Sequence, residues 1–439
     1  MADVQSQMAT DGRTRSNSLA SLRMLLKRIR IGSAAKQKKR SSAIEGVRQE
    51  IILRTSEPRE KTSQFSTCDS VCSEPEPTVQ KALVVARKGE YEIRHDFPVP
   101  ALGDNEVMIS SRFVGLNPID WKSVDYNFCL PDFPWVSRRQ LAPAFTPLRS
   151  LLTVFVKVTG REMSGIVEKV GKHVKDIKPG DRVWTSTYYR DVRAGCFQEY
   201  VIVPPHTVVK IPERVPFAAA ACLGVAALTA CMTLWKWLGV PTPSQRNGTT
   251  GKANGDDDWL LIWGGSTVTG QFATQVASQS GLKVITVNSV ETEALSKLLG
   301  ASYVVTRDGK TDAEILEEIT TATNGGHITR AIDLVGSKTA VLVLDAVSKE
   351  RPVDFAPLAF MASTQTIREN VTVHTVEMKR FVLDESSKHY ADELNNLLER
   401  DALVLPEVHL LEGGFEDIKD GLELLKQGNM KGKKLIVRI

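Results

Sequence analysis

Apolar and polar positions change their rhythm twice along the body of the chain. From Lys81 the apolar residues come in short runs, KALVVA, EVMISSRFVGL, GIVEKVG, DRVWTS, FQEYVIVP and HTVVKIP. Gly, Pro and Asp separate them, as at Pro98, Pro100, Gly103 with Asp104, and the turn Pro179, Gly180, Asp181. Many short strands with regular turn signals predict a β-barrel or sandwich. At Val215 the rhythm changes to PFAAAACLGVAALTACMTLWKWLG, a long apolar helical stretch whose small residues permit close packing. PTPSQRNGTTGKANGDDD follows and reads as a loop.

Strands and helices then alternate. The strand WLLIW (259–263) leads to the helix TGQFATQVASQSG, and KVITVNS (283–289) to ETEALSKLLG, ended by Gly300. SYVVT precedes the helix TDAEILEEITTAT, and TRAIDLVG supplies a fourth strand. This repetition predicts an α/β fold with a doubly wound parallel sheet, a Rossmann domain. Past residue 370 the strand VTVHTVEM and the helix HYADELNNLLER are expected to return to the first module, which FEDIKDGLELLKQGN and the terminal strand KKLIVRI close. The domains so read are 77–215, 216–370 and 371–439, behind a tail of residues 1–76.

The tail is rich in Ser, Thr, Gln and charge and is expected to be disordered. One segment, LASLRMLLKRIRI (19–31), has the composition of an amphipathic basic helix. Ten basic and no acidic residues lie between Asp11 and Glu45, a pattern shared by solvated tails, membrane-surface helices and organelle-targeting peptides. Asp3 and Asp11 count against targeting, because such peptides avoid acids. The tail carries a net +5, whereas the remainder is near neutral at −1. Nothing in the body therefore argues for nucleic acid. No apolar run is read as approaching the ~20 residues of a membrane helix, so no transmembrane segment is expected. Six scattered cysteines without framework spacing fit a reducing, cytoplasmic setting better than a disulfide-built secreted domain.

The segment LLIWGGSTVTGQFA (260–273) is the strongest local signal. A buried strand runs into Gly264 and Gly265, then a polar turn, then a helix near Thr269 and Gly270. Free backbone N–H groups and the positive end of a helix at a strand's carboxyl edge suit a pyrophosphate. Ser266, Thr267 and Thr269 offer hydroxyls, although Thr267 and Val268 depart from a strict GxGxxG. An NAD site would hold Asp or Glu at the end of the second strand. Here Val287, Asn288 and Ser289 stand there, about eighteen residues past Gly270. They leave room for a 2′-phosphate, with Lys283, Lys297 and Arg307 near enough in sequence to supply a cation and Glu291 arguing the other way. NADPH is the expected cofactor.

GLNPIDWK (115–122), VTGREMSGIVEKVG (158–171), KPGDRVW (178–184), GCFQEYVIVP (195–204), LGVAALTACMTL (223–234), LLIWGGSTVTG and the closing GGFEDIKDGLELLKQGNMKGKKLIVRI occur in one order. That order resembles the medium-chain dehydrogenase/reductase superfamily over residues 77–439, and its details resemble the fungal branch of trans-acting enoyl reductases and secondary-metabolite dehydrogenases. The resemblance implies a GroES-like β-barrel domain interrupted by the Rossmann domain, with catalysis in the cleft between them. It implies that Asn117, Pro118, Ile119 and Asp120 line the nicotinamide side. Gly264, Gly265, Ser266, Thr267, Val268 and Thr269 would hold the phosphates, Ser289, Val290, Glu291 and Thr292 would form the adenosine-phosphate loop, and Arg307 would contact the adenosine end. Asp120 and Lys122 are the candidate catalytic side chains. Lys122 reads equally as a cationic donor in the cleft or as a surface lysine, and no general acid stands out.

Zinc-bearing relatives place a Cys and a His where Asn117 and Arg161 stand here, Arg161 being next to Glu162. An amide and a guanidinium do not replace a thiolate and an imidazole on Zn²⁺, so no metal is expected. Without a metal to polarise an alcohol, hydride transfer to an activated C=C remains feasible. The substrate is then a small molecule or an acyl thioester, with a polyketide synthase as the partner that the resemblance implies. Two alternatives stay open: a quinone or carbonyl oxidoreductase of the same superfamily, and a non-catalytic NADPH-binding accessory protein. One segment departs from the pattern, SRRQLAPAFTPLRSLLTVFVK (137–157), which reads as a substrate-lining excursion or as a translated intron.

Overall fold

The computed structural model describes residues 77–126, 157–188, 191–247, 258–428 and 430–439. The tail, its 19–31 segment, Cys68, Cys72 and residues 137–156 of the unusual segment lie outside the described residues.

The barrel begins with β1 (Val79–Arg87), paired antiparallel with β2 (Glu90–Pro98) and β4 (Lys157–Val158). A seven-stranded sheet carries β3 (Val107–Gly115), β5 (Glu162–Val170), β6 (Arg182–Ser186), β7 (Tyr200–Val203), β8 (Val208–Lys210), β15 (Val408–Leu411) and β16 (Lys434–Arg438). Its order is β15-β16-β3-β5-β6-β8, with β7 also on β3. Gln80 ties the two sheets together: its Nε2 donates to Gln198 Oε1 at 3.1 Å, and its Oε1 accepts from the Tyr200 N–H at 2.7 Å. Alternate residues Ile109, Val114, Met163 and Val167 fill the interior, and helix Phe415–Gln427 covers one opening with Phe415, Ile418 and Leu422. Strand β2 was not among the expected strands. Only Tyr91, Ile93 and Phe97 of it pack on the core, so it lacks the apolar run that marked the others.

The second sheet is entirely parallel: β9 (Asp258–Trp263), β10 (Lys283–Asn288), β11 (Tyr303–Thr306), β12 (His327–Asp333), β13 (Val353–Pro357) and β14 (Val371–Val373). Its order, β11-β10-β9-β12-β13-β14, is that of a dinucleotide-binding Rossmann sheet. The parallel sheet extends to Val373, and the barrel sheet is rejoined only at Val408. Between them, helix Lys388–Glu399 buries Ala391, Leu394, Leu397 and Leu398 in one core with Leu260, Ile262 and Phe272.

The apolar stretch Phe217–Trp237 joins the modules as a helix with two π-helical turns, Leu223–Ala227 and Thr233–Trp237. By length and composition alone it is long and apolar enough to cross a membrane, which corrects the expectation that no run approaches that length. Its apolarity serves the core: 83% of its most apolar 18-residue window is buried inside the protein, against Val276, Leu394 and Leu398 among others. Phe272 sits at the centre of that core and is fully buried. Phe272→Ala should lower unfolding stability by about 3–5 kcal/mol. The check is a urea titration in which the midpoint falls and the slope stays constant.

Candidate active site

The carboxyl ends of β9, β10 and β12 converge where the strand order reverses, the usual place for a ligand in an open α/β sheet. The chain leaves β9 through Gly264, whose φ of 90° favours glycine. The Gly264 N–H donates to Val287 O at 2.9 Å, pinning the turn to β10. Helix Val268–Gln279 then starts at Thr267, whose hydroxyl accepts from the Gly270 N–H at 3.0 Å and donates to Gly264 O at 2.9 Å. A Cβ at Gly270 would lie 2.4 Å from that carbonyl, so only glycine lets the helix approach so closely. The Thr267 hydroxyl is thus the helix cap rather than a spare phosphate contact. The first-turn N–H groups of Val268 and Thr269 have no acceptor within the helix and face the helix's positive end.

Beside this turn lies a cavity of about 550 Å³. It gathers Gly264, Ser266, Thr267, Ser289 and Arg307 of the sequence-predicted set, together with Val287 and Asn288 at the end of the second strand, and adds Asp308, Lys310, Val335 and Lys338, which sequence reasoning did not single out. The charges are sorted. Lys338 pairs with Asp312 at 3.0 Å, Lys310 pairs with Glu318, and Asp308 Oδ2 accepts from the Val290 N–H at 2.6 Å. Arg307 is exposed and makes no ion pair among the described residues, while its N–H is fixed on Asn288 O at 3.0 Å. Ser289 Oγ lies 3.2 Å from the hydroxyl of buried Thr292. Glu291 is engaged by Lys431 at 2.8 Å, which neutralises the acid that argued against a 2′-phosphate. Val290 and Glu291 are not part of the cavity wall.

Asp333, at the end of β12, organises the facing turn. Its carboxylate accepts from Thr339 Oγ1 at 2.7 Å and from the Gly336 N–H at 3.1 Å. Burial pushes its pKa up to about 6, against the pull of those donors.

The residues Asn117, Pro118, Ile119 and Asp120 form one turn at the barrel end, the start of helix Pro118–Asp125. Asp120 Oδ2 accepts from the Asn117 N–H at 2.9 Å, and its Oδ1 is buried without a hydrogen-bond partner. Burial pushes the carboxyl up to about 7, moderated by the Arg161 charge, the Asn117 N–H and the Lys434 charge, while Glu162 adds to the rise. Lys122 is not brought to this acid. Two residues further along a helix it points roughly 200° away, and its Nζ lies 5.7 Å from the Trp121 ring centroid.

Beneath the turn lies a cluster that sequence reasoning saw only in part. Asn117 Nδ2 donates to Glu162 Oε1 at 2.9 Å, and the Lys434 ammonium donates to Asn117 Oδ1 at 2.8 Å, Leu116 O at 3.0 Å and Glu162 Oε1 at 2.5 Å. Glu162 Oε2 accepts from the Val225 N–H at 2.6 Å. A Zn²⁺ ion does not fit these donors. The Asn117 amide is already committed to an ammonium and a carboxylate, Arg161 is a cation, and among the described residues no three His, Cys, Asp or Glu side chains cluster.

Residues 103–213 match the alcohol dehydrogenase GroES-like domain. The chain is 28% identical over 381 residues to the trans-enoyl reductase ACTTS2 of Alternaria alternata, covering 82% of this chain and 99% of that protein. It is 25% identical over 381 residues to the trans-enoyl reductase buaC of Petromyces alliaceus, covering 82% and 97%. Among solved structures it is similar to the enoyl reductase CurK, with a TM-score of 0.64 at 17% identity, covering 82% of this chain and 99% of that one. It is similar also to a Pseudomonas syringae quinone oxidoreductase, with a TM-score of 0.61 at 22% identity, covering 82% and 100%. A GroES-like barrel joined to a Rossmann sheet, with a glycine turn at the switch point, defines an oxidoreductase of the medium-chain dehydrogenase/reductase superfamily. Its similarity to proteins named trans-enoyl reductases, at 25–28% identity over 82% of the chain, supports an enoyl reductase-like protein.

Two outcomes follow from this geometry. Gly270→Ala should force the turn open and raise the dissociation constant for a dinucleotide by roughly tenfold or more, read by fluorescence titration. Asp120 binds its proton more tightly folded than unfolded, where 3.8 is the ordinary value. Its contribution to stability is therefore present below about pH 4 and is lost as pH rises through about 7. Asp120→Asn should accordingly gain in Tm relative to the wild type as pH rises over that window, whereas a constant difference would contradict the buried acid.

Proposed function

We propose that the protein is an NADPH-dependent, zinc-independent reductase of activated C=C bonds, acting on a small molecule or acyl thioester in fungal secondary metabolism. The observation that carries this reading is the pairing of two sites. A glycine turn and a basic adenosine cavity suit a phosphorylated dinucleotide, and the barrel side holds the Asn117 amide and the Arg161 guanidinium where metal-dependent relatives hold metal ligands. Curated relatives named trans-enoyl reductases support the choice of reaction, and a polyketide synthase is the partner that this reading implies. The buried free thiols Cys196, Cys222 and Cys231 support a reducing, cytoplasmic setting.

A bound nicotinamide supplies the hydride, which goes to the carbon β to a carbonyl. In this reading Gly264, Gly265, Ser266, Thr267, Val268 and Thr269 hold the pyrophosphate through the helix N-terminus. Ser289 lines the adenosine end, with Val290, Glu291 and Thr292 completing its loop behind the cavity wall, and Arg307 holds the 2′-phosphate. Asn117, Pro118, Ile119 and Asp120 form the surface against the nicotinamide. Asp120 orients that turn and holds a proton near neutral pH. Lys122 remains a candidate cation on the other face of the same helix, beside Trp121. An acceptor with its own carbonyl needs no metal to take hydride, and this applies equally to quinones, so substrate choice is decided by experiment.

The test is a titration with both nucleotides. NADPH should raise Tm more than NADH does. Arg307→Ala should weaken NADPH roughly tenfold or more while leaving NADH nearly unchanged, the loss expected for one charge-assisted contact. Equal responses to the two nucleotides would remove the NADPH assignment. A substrate panel then follows NADPH consumption: turnover on an enoyl thioester supports the reading, turnover on quinones alone supports a quinone oxidoreductase, and none on any acceptor supports an accessory protein.

A further inference from the structure

We infer that residues 431–434 form a strap that fixes the barrel turn against the phosphate turn, and that Lys434 is its positioning residue for hydride transfer. The strap touches all three parts of the cofactor site described above. Lys431 pairs with Glu291 of the adenosine loop at 2.8 Å. One residue on, Gly432 O accepts from Gln271 Nε2 at 2.6 Å, and the same nitrogen donates to Ser266 O of the phosphate turn at 3.0 Å. Two residues further, the buried Lys434 ammonium holds Leu116 O, Asn117 Oδ1 and Glu162 Oε1.

The strap's length is set by a turn. Lys433 N–H donates to Met430 O at 2.9 Å, and the central residues Lys431 and Gly432 have φ of 52° and 81°, both positive as a type I′ turn requires. A lysine in that conformation is uncommon, and it is held there by its ion pair and by the ladder of β16 that follows. At the other end, Lys434 and Glu162 are 3% and 0% exposed. An ammonium buried so completely must be matched at every proton, and Lys434 has three acceptors for its three. Gly115 leaves the room: a Cβ there would lie 2.5 Å from Glu162 Oε1. The Glu162 carboxylate passes the restraint on to the Val225 N–H of the helix that leads into the nucleotide sheet.

This role rests on the proposed reading that Asn117–Asp120 faces the nicotinamide. Affinity for the dinucleotide then comes from the phosphate turn and Arg307, whereas the pose of the ring comes from the strap. The two separate experimentally. Lys434→Met leaves a buried carboxylate unpaired and can fail to fold, so the informative variant is Lys434→Met with Glu162→Gln, which removes both charges. The double variant should keep a near wild-type Tm and an NADPH dissociation constant within about threefold. It should lose roughly 10- to 100-fold in kcat, as a small misplacement of a reacting ring does. Its bound NADPH should also lose the enhanced, blue-shifted nicotinamide emission of an immobilised ring, a readout that needs no substrate. Lys434→Arg alone should recover part of that emission. A folded double variant with wild-type emission and kcat would overturn the role of Lys434. A wild type that shows no NADPH binding at all would instead overturn the functional reading on which it rests.

Discussion

A buried ammonium in contact with a buried carboxylate is the constraint around which the site is arranged. Lys434 and Glu162 are removed from water almost entirely, at a cost that only complete pairing offsets. The partners that complete it are drawn from four places: the end of β3, the start of the helix at Pro118, the Leu223–Ala227 turn of the Phe217–Trp237 helix, and β16 itself. Satisfying one charge pair therefore fixes how the barrel meets the nucleotide sheet. It also commits the Asn117 amide to the Glu162 carboxylate and the Lys434 ammonium.

The glycine turn follows a different logic, in which backbone geometry rather than charge sets the shape of the site. Gly264 and Gly270 allow a strand, a turn and a helix to meet with little space between them, and Thr267 caps the helix so that the following N–H groups stay directed outward. Charge enters only at the adenosine end. There most of the ionic groups are already paired with one another, which leaves Arg307 available. On the proposed reading, such a site would grip a diphosphate by geometry and use a single cation for discrimination.

Much of this was legible in the chain. The alternation from WLLIW to TRAIDLVG located four of the six parallel strands almost residue by residue, because buried strands and amphipathic helices have distinct periods; β13 was not foreseen, and β14 joins the parallel sheet rather than the barrel to which VTVHTVEM was expected to return. The glycine turn was legible for the same reason: its residue types answer to local backbone geometry. What was not legible depended on distance in sequence. Nothing about the lysine pair in GKKLIVRI marks Lys434 as buried, since its partner Glu162 is 272 residues away and only the antiparallel pairing of β16 with β3 brings them together. Glu291 looked like an obstacle to a phosphate until Lys431, equally remote, was found to hold it. The Phe217–Trp237 helix shows the converse error, in that its apolarity was underestimated as a run and is explained by the two modules packed around it. Strand β2 escaped because its face toward solvent is almost wholly polar.

The claim on which the account depends is that this cleft transfers hydride with no metal assisting. The most direct measurement is NADPH oxidation with an enoyl thioester by protein dialysed against a strong chelator, with bound zinc quantified on the same sample. The account predicts undiminished turnover at far less than one zinc per chain. Activity that disappears with the metal and returns in proportion to one added zinc would contradict it.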